Sequence, residues 1–491
     1  MIQQRFWKTG TAKIIAGTLC AHYTMLLVGI IQGFSAILLP QLKTTDKYKD
    51  LTEDETSWIV SLGTVTNPIG SLLSGVLAEF LGRKRSIQLA AIPVIVGSLL
   101  LGLAQNVNWI YAGRLITGIS GGMSPASYTY VGEVSTSQAR GIMQTLGPTF
   151  ASIGIMMTYI FGYFLHWTTV AYISIGFAIL SIILMELVPE SPSHLLRQGK
   201  KSEGFDILLW YRCDRSVAHE EIDRFYQNQK EANSNNMSFK DTYFGPQTIK
   251  PFLILLGLFA FQEFSGIYTL LFYVATFFEV ADPNFDEILG SIIVGAIRLV
   301  MAIVAGYLVN TYGRKILCTC SSIGMAITIG AVATYLKYYE IHSDQEKVAP
   351  YLPLIGMILY VACSNAGLFP IPWVMIGELF PVKVRPIMSG IVVSLAQLLI
   401  FICVKVYENM TNTLNLSGTL FVFMAVSLLS AVYCITILIE TRNKTLEEIE
   451  AHFRGNKKIS SNGGIDNVFF DNSSENLNNV KNRTNTGGLT V

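Results

Sequence analysis

Two charged side chains lie inside long apolar stretches of this sequence, where charge is costly. Glu263 is near the middle of the apolar run 250–279, and Arg298 is near the middle of the run 288–309. A charge at the centre of a bilayer costs roughly 2.5–3.5 kcal/mol unless it faces water or a partner. We therefore predict that Glu263 and Arg298 face a central cavity and pair across it. Such a pair would bind hydroxyl groups or a charged solute; a purely structural ion pair is the alternative.

Two further charged patterns occur twice, about half the chain apart. Gly75–Lys84 returns, with the same spacing of glycine, arginine and lysine, as Gly306–Lys315, although Glu79 becomes Asn310. A Gly-Glu pair followed by an arginine also returns. The charged members are Arg83, Glu133 and Arg140 in the first half and Arg314, Glu378 and Arg385 in the second. Exposed ion pairs contribute roughly 0–1 kcal/mol each, so they suit a latch that forms and breaks.

Twelve apolar runs must position these residues, each near the roughly 20 residues that a spanning helix needs. The predicted spans, numbered one to twelve, are 14–39, 57–81, 87–106, 109–131, 143–164, 168–188, 250–279, 288–309, 316–337, 351–377, 386–407 and 416–439. The pattern indicates an all-α membrane protein built twice, as in duplicated transporters. The predicted domains are a first bundle at 1–188, a linker with short helices at 189–249, a second bundle at 250–450 and a disordered tail at 451–491.

Composition excludes several function classes. The 491 residues are 51% hydrophobic and 14% charged, against roughly 25% charged in soluble domains. A net charge of +1 disfavours a nucleic-acid partner. The seven cysteines form no CxxC pair, and no nucleophile–base set or phosphate loop is evident, so we expect no metal, no cofactor and no enzyme activity. Nothing in the sequence requires more than a monomer.

The basic residues predict the orientation. They follow the even-numbered spans, in the clusters around Arg83, Arg140, Arg314 and Arg385, and they also flank both ends of the spanning region. By the positive-inside rule these connections and both termini are cytoplasmic. The connection 408–416 is then outside, where Asn409 and Asn415 begin two possible glycosylation sequons. The plasma membrane is the expected location.

A series of short motifs resembles the sugar porters of the major facilitator superfamily. The matching stretches are Gly82-Arg83-Lys84, Gly113-Arg114-Leu115, Gly132-Glu133 to Arg140-Gly141, Pro189-Glu190-Ser191-Pro192, Gln262 to Ile267, Pro370-Ile371-Pro372-Trp373, Glu378 to Pro381 and Glu440 to Thr445. They occur in family order over about residues 15–450. Leu146–Thr149 and Asp282–Asn284 resemble the insect facilitated trehalose transporters. The resemblance implies two six-helix bundles around a central cavity, and alternating access to a sugar near the midplane.

The resemblance also implies a sugar-binding set. Gln262 matches a family glutamine, and its carboxamide can donate to hydroxyl groups and accept from them. Trp373 matches a family tryptophan that offers a flat face to a sugar. For both residues, a role in packing or bonding between helices is the alternative. Other positions of the set depart from the family pattern: Gln32, Glu263, Tyr268, Arg298 and Asn365.

Arg114 joins the predicted gating residues. In proton-coupled relatives it neighbours an aspartate, but here Ser35 occupies that position and cannot titrate. We therefore predict a facilitative uniporter for trehalose or a hexose. Proton symport, with Glu263 as the proton carrier, and transport of another small polar solute remain alternatives. A non-transporting sugar sensor is the alternative of a different class.

Overall fold

The computed structural model describes residues 10–48, 51–136, 139–234, 243–281, 286–342, 348–349, 351–381, 384–442, 444 and 446–454. Within these ranges the secondary structure is helical, joined by turns and short loops, and contains no β-strand. Most of the predicted tail, residues Asp282–Asn284 and the side chain of Asn310 lie outside what is described.

Each half of the chain supplies six spans. The first six are Gly10–Thr44, Glu53–Val65 with Asn67–Phe80, Arg83–Gly102, Val107–Gly122 with Pro125–Val134, Arg140–Phe164, and Trp167–Glu186. Three helices follow: Pro192–Arg197, Lys201–Arg212 and Arg215–Ser234. The last six spans are Pro246–Phe264 with Ile267–Phe272 and Val274–Ala281, Glu287–Thr311, Arg314–Ile341, Leu352–Ala366 with Ile371–Leu379, and the two spans within Arg385–Thr436. A final helix is Leu446–Arg454. Eight of the described helical stretches are long and apolar enough to cross a membrane by themselves.

Spans two, four, seven and ten are broken near their middles. Proline opens the second part of spans two and four, where its missing N–H costs no hydrogen bond. In span seven the break is Gly266, whose φ of +90° favours glycine. A Cβ at Gly266 would also lie 2.5 Å from the ring of Phe423. In span ten the break precedes Ile371, which lies between Pro370 and Pro372. Broken spans expose backbone groups at the depth where polar side chains collect.

Spans eleven and twelve are two helices that meet at Asn415, so the connection between them lies within the predicted 408–416 but is much shorter. Helical structure extends from Arg385 to Thr436 except at Asn415, where φ is 60° and ψ is 173°. Residues 408–414 contain no glycine or proline to end the helix earlier.

The two bundles meet along two seams, span five against span eight and span two against span eleven. One buried apolar cluster joins both halves and includes Phe34, Tyr159, Phe277 and Val404. We call the end that carries Arg83, Arg140, Arg314 and Arg385 the basic face, and the other end the opposite face. The polar site lies between them, next to the breaks of spans seven and ten.

Candidate substrate site and latches

The carboxamide of Gln262 bridges the two broken spans of the second half. Gln262 is fully buried, and its Nε2 donates to the Phe369 carbonyl at 2.7 Å. Its Oε1 is buried and has no hydrogen-bond partner among the described residues. An unpartnered buried acceptor costs free energy, so this oxygen is a candidate to accept a hydrogen bond from a substrate.

Glu263 lies beside it and is also fully buried. Neither carboxylate oxygen of Glu263 has a hydrogen-bond partner in the described part of the chain. Gln32 of span one contributes another buried oxygen without such a partner there. These unpartnered oxygens are all of types that accept hydrogen bonds from hydroxyl or ammonium groups.

The predicted ion pair between Glu263 and Arg298 is wrong for this structure. Arg298 is buried, but its Nε donates to Ser152 Oγ of span five at 3.3 Å. Its guanidinium also lies 4.5 Å from the centre of the Phe369 ring. The arginine therefore extends into the seam between the bundles, where a hydroxyl and an aromatic face stabilise its charge. Glu263 is left without a counter-ion among the described residues.

Aromatic rings form one side of the site. Trp373 is half-buried and meets Phe259 edge to face, with ring centres 5.2 Å apart. Tyr268 packs on Phe369 at 5.3 Å, and its hydroxyl interacts with Trp373. The predicted residues Gln262, Tyr268 and Trp373 are thus brought together near Phe369.

Asn365 lies at a different wall of the same region. Its Nδ2 donates to the Val361 carbonyl of its own helix at 2.9 Å. Asn365 and Arg298 both line a cavity of about 10 Å³ that Tyr360 also bounds. A cavity of roughly 10–15 Å³ holds one water at most. A sugar therefore needs the bundles to move before it can enter here.

The opposite face is closed by contacts between the bundles. Lys43 of span one binds Glu279 of span seven at 2.7 Å. Lys405 of span eleven binds Asp54 of span two at 2.8 Å and stacks on Trp58. Neither ion pair was predicted from the sequence, because a charged side chain near a span boundary is usually exposed to solvent.

Arg114 has no acidic partner within the described ranges. It is 1% exposed, and it donates to Ser35 Oγ and to the carbonyls of Ile59 and Ile31 at 3.1 and 3.2 Å. The carbonyls and one hydroxyl therefore satisfy this buried cation without a titrating neighbour.

The first latch lies on the basic face. Arg83 binds Glu133 at 3.1 Å and donates to the Ala78 carbonyl at 2.9 Å. Glu190 accepts from the backbone N–H groups of Arg83 and Lys84, each at 3.0 Å. Ser191 donates to Glu133.

The second latch repeats the first. Arg314 binds Glu378 at 2.8 Å and donates to the Val309 carbonyl at 3.0 Å. Glu440 accepts from the backbone N–H groups of Arg314 and Lys315. Thr441 donates to Glu378 at 2.6 Å. Both latches stay within their own bundle in this conformation.

Arg140 and Arg385 are not part of either latch, contrary to the prediction. Arg140 is exposed, and Arg385 donates to the Phe380 carbonyl at 2.9 Å. Neither forms an ion pair with a residue that the structure describes. Glu190 and Glu440 complete the two latches instead, and neither was among the predicted latch residues. A repeated signal existed, because Glu-Ser follows span six and Glu-Thr follows span twelve.

Comparison with known proteins identifies the family of this chain. The model of the family "Sugar (and other) transporter" matches residues 11–453. The chain belongs to that family. It is 31% identical over 450 residues to a facilitated trehalose transporter of Apis mellifera ligustica, covering 91% of this chain and 89% of that protein. It is 29% identical over 447 residues to a facilitated trehalose transporter of Bombyx mori, covering 90% and 88%.

The fold of this family member also matches a solved structure. A proton:xylose symporter bound to 6-bromo-6-deoxy-D-glucose aligns with a TM-score of 0.76 and 23% identity, covering 90% of this chain and 100% of that one. The chain is therefore a multi-pass membrane transporter of the major facilitator fold, with two six-helix bundles, and not an enzyme.

Proposed function

We propose that this transporter carries a neutral, hydroxyl-rich sugar, with trehalose or a hexose as the cargo. The observation that supports it most is the set of unpartnered oxygens on Gln262, Glu263 and Gln32. Every one of them accepts hydrogen bonds, and a sugar brings several hydroxyl donors on one small molecule. Trp373 adds an aromatic surface for the sugar's C–H groups. The names of the insect relatives favour trehalose.

We infer facilitative uniport by alternating access. Arg114 has Ser35 and carbonyl groups around it, and no titrating residue among the described ones. Protonation there cannot drive transport. Symport through Glu263 predicts instead that sugar uptake acidifies the receiving compartment and that Glu263→Gln abolishes this acidification.

The positive-inside rule supports placing the basic face and both termini in the cytoplasm of a cell with this protein in its plasma membrane. Asn409 and Asn415 are exposed at the opposite face, where glycosylation would occur. The sequon at Asn415 is the weaker candidate, because its Ser417 is buried and bound to Glu340.

Uptake of a labelled panel into oocytes tests the cargo. We expect saturable uptake of trehalose or a hexose, reduced at least tenfold by Gln262→Ala, because losing both polar groups of a buried carboxamide costs roughly 1–3 kcal/mol. Glu203→Gln, on an exposed surface helix, is the matched control. Uptake of other solutes only would overturn the sugar assignment.

A second candidate cargo is a charged or zwitterionic solute. It is favoured by one observation, that Glu263 and Arg298 are both buried and not paired with each other. The same panel decides between the two by which labelled solute is taken up, and a cargo with net charge would in addition produce a current in voltage-clamped oocytes.

A further inference from the structure

One histidine distinguishes the first latch from the second. His194 lies in the short helix Pro192–Arg197 and is 4% exposed. Its Nδ1 is 2.8 Å from Nη1 of Arg83, the arginine that binds Glu133. The corresponding position after Glu440 is Lys444. The second latch therefore has no imidazole at this place.

The contact requires a neutral ring. A guanidinium group can only donate, so Nδ1 of His194 must accept and cannot carry a proton. The ring proton is then on Nε2, which is 3.0 Å from the carboxamide of Gln198. Rotating that carboxamide by half a turn presents its oxygen as the acceptor. The neutral imidazole thus joins Arg83 to the helix that follows span six.

The charged groups around this ring come from spans two, three and four, from the end of span six and from the ring's own helix. Arg83 also approaches Glu79 at 3.5 Å, and Arg197 approaches the same carboxylate at 3.7 Å. Glu133 and Glu190 face the ring from span four and from the end of span six. Burial and the Arg83 guanidinium lower the pKa of His194 from its ordinary value of 6.5, and the three carboxylates only partly oppose this. The net effect of the surroundings is to favour the neutral form.

We propose that His194 is a cytosolic pH sensor: its protonation withdraws the acceptor from Arg83 and releases the first latch, which frees the end of span two that packs against span eleven, and so favours opening of the basic face. The proposal rests on the proposed function in placing that face in the cytosol. Two donors would then oppose each other at 2.8 Å, and two cations would lie side by side in a nearly dry contact.

The direction of the effect follows from linkage. The latched state holds the imidazole neutral, and the released state returns it to water, where its pKa is ordinary. The released state therefore binds more protons, and the stability of the latch is lost as the pH falls through 6.5. Between about pH 7.5 and about pH 6, the ratio of latched to released protein falls by about fourfold at most.

A thiol-labelling experiment measures the opening of the basic face that should follow this release. Thr145 of span five lies at the basic-face end of the seam, where a Cβ on Gly306 of span eight would be 3.1 Å from its Oγ1. In Thr145→Cys, labelling by a polar maleimide should rise when this seam opens. Labelling is compared at the two pH values with that of Thr145→Cys/His194→Gln, because their ratio cancels the intrinsic pH dependence of the thiol. The unmutated chain gives the background of native cysteines.

We expect acidification to raise this ratio by up to about fourfold, because a glutamine carboxamide can accept from Arg83 at either pH. His219→Gln is the matched control, since His219 is exposed in the same segment, and it should leave the rise intact. An unchanged ratio, or a rise abolished by His219→Gln, would overturn the sensor.

Sugar uptake into vesicles with the cytoplasmic face clamped at each pH gives a second readout. A pH response present in the wild type and absent in His194→Gln supports the sensor, and an equal response in both contradicts it. If no sugar is transported at either pH, the proposed function fails, and the labelling ratio still decides the role of His194.

Discussion

The two latches share their backbone geometry and differ in how deeply they are buried. In each, a glutamate accepts from two backbone N–H groups at the start of span three or span nine. The arginine at the same place donates to a carbonyl of span two or span eight. The Arg83 side chain is 3% exposed, against 13% for Arg314, and only Arg83 contacts an imidazole. The duplication preserved the hydrogen-bond framework, while the side chains around the arginine diverged.

This difference has an energetic meaning. A buried guanidinium depends on every partner that replaces water, whereas a partly hydrated one does not. The first latch is therefore the one whose loss is expensive and whose strength can be regulated. The second resembles a surface ion pair, which breaks with little cost. The following substitutions test that contrast.

Arginine removal should show the largest contrast. Arg83→Ala leaves the buried His194 and the partly buried Glu133 without their partner, so we expect the free energy of unfolding to fall by roughly 3–5 kcal/mol and uptake to be lost. Arg314→Ala should cost roughly 1–2 kcal/mol, because its partners are more hydrated. Thermal unfolding of the purified proteins measures both. Arg85→Ala, on an exposed pair with Glu186, is the control and should have almost no effect. Equal losses at Arg83 and Arg314 would contradict the contrast.

The glutamates that accept from backbone N–H groups, Glu190 and Glu440, should show almost no contrast between the two latches. Glu190→Gln and Glu440→Gln each keep an oxygen but lose the charge that strengthens two bonds to backbone N–H groups. We expect each to cost roughly 1–2 kcal/mol of unfolding free energy. Chemical denaturation of both variants in parallel checks this. A loss confined to one half would mean that the shared framework is not equivalent.

Glycine substitution separates backbone strain from crowding. A Cβ on Gly82 or Gly313 would lie 2.3 Å from Oε2 of the local glutamate, so both alanine variants displace that carboxylate. Only Gly82 has a positive φ, of +96°, whereas Gly313 is at −70°. Gly82→Ala should therefore be worse by roughly 1–2 kcal/mol. Gly75→Ala meets nothing within 4 Å and is the control. If Gly313→Ala proves as damaging as Gly82→Ala in the same unfolding assay, crowding alone explains both.

The hydroxyl donors give the smallest effect. Ser191→Ala and Thr441→Ala each remove one hydrogen bond to a latch glutamate that already has an arginine. We expect a loss of roughly 0.5–1.5 kcal/mol in each half. Melting temperatures resolve such a change if both variants are measured beside the wild type. A stabilising effect in either half would show that the hydroxyl crowds the pair.

The spans and the ion pairs Arg83–Glu133 and Arg314–Glu378 could be predicted from sequence. Apolar length reveals spanning helices directly, and a charged pattern that occurs twice reveals residues with the same task in both halves. The Glu263–Arg298 pair could not be predicted correctly. The position of a residue along its helix gives its depth in the membrane, so Glu263 and Arg298 were expected at a similar depth. It does not give the direction in which each side chain points. Ser152 and Phe369, which stabilise Arg298, come from spans five and ten and carry no local signal.

Long contacts between distant segments explain the other errors. Arg140 and Arg385 follow the repeated glutamates in sequence, yet the carboxylates that complete each turn are Glu190 and Glu440, at the far ends of the halves. Lys405 likewise pairs with Asp54, which is 351 residues away in the sequence. A sequence motif reports spacing along a helix, whereas these partners are chosen by how the helices pack.

The closure of the opposite face makes ionic strength a control variable of the transport cycle. Lys43 and Glu279 are 54% and 41% exposed where they pair, and Asp54 is 77% exposed beside Lys405. Mobile ions reach such pairs, since the Debye length is about 8 Å in physiological saline and about 3 Å at 1 M salt. High salt on that side thus weakens the attraction that draws the bundles together there, while the buried first latch on the basic face is shielded from it. The relative time spent open to each side then depends on the electrolyte as well as on the cargo.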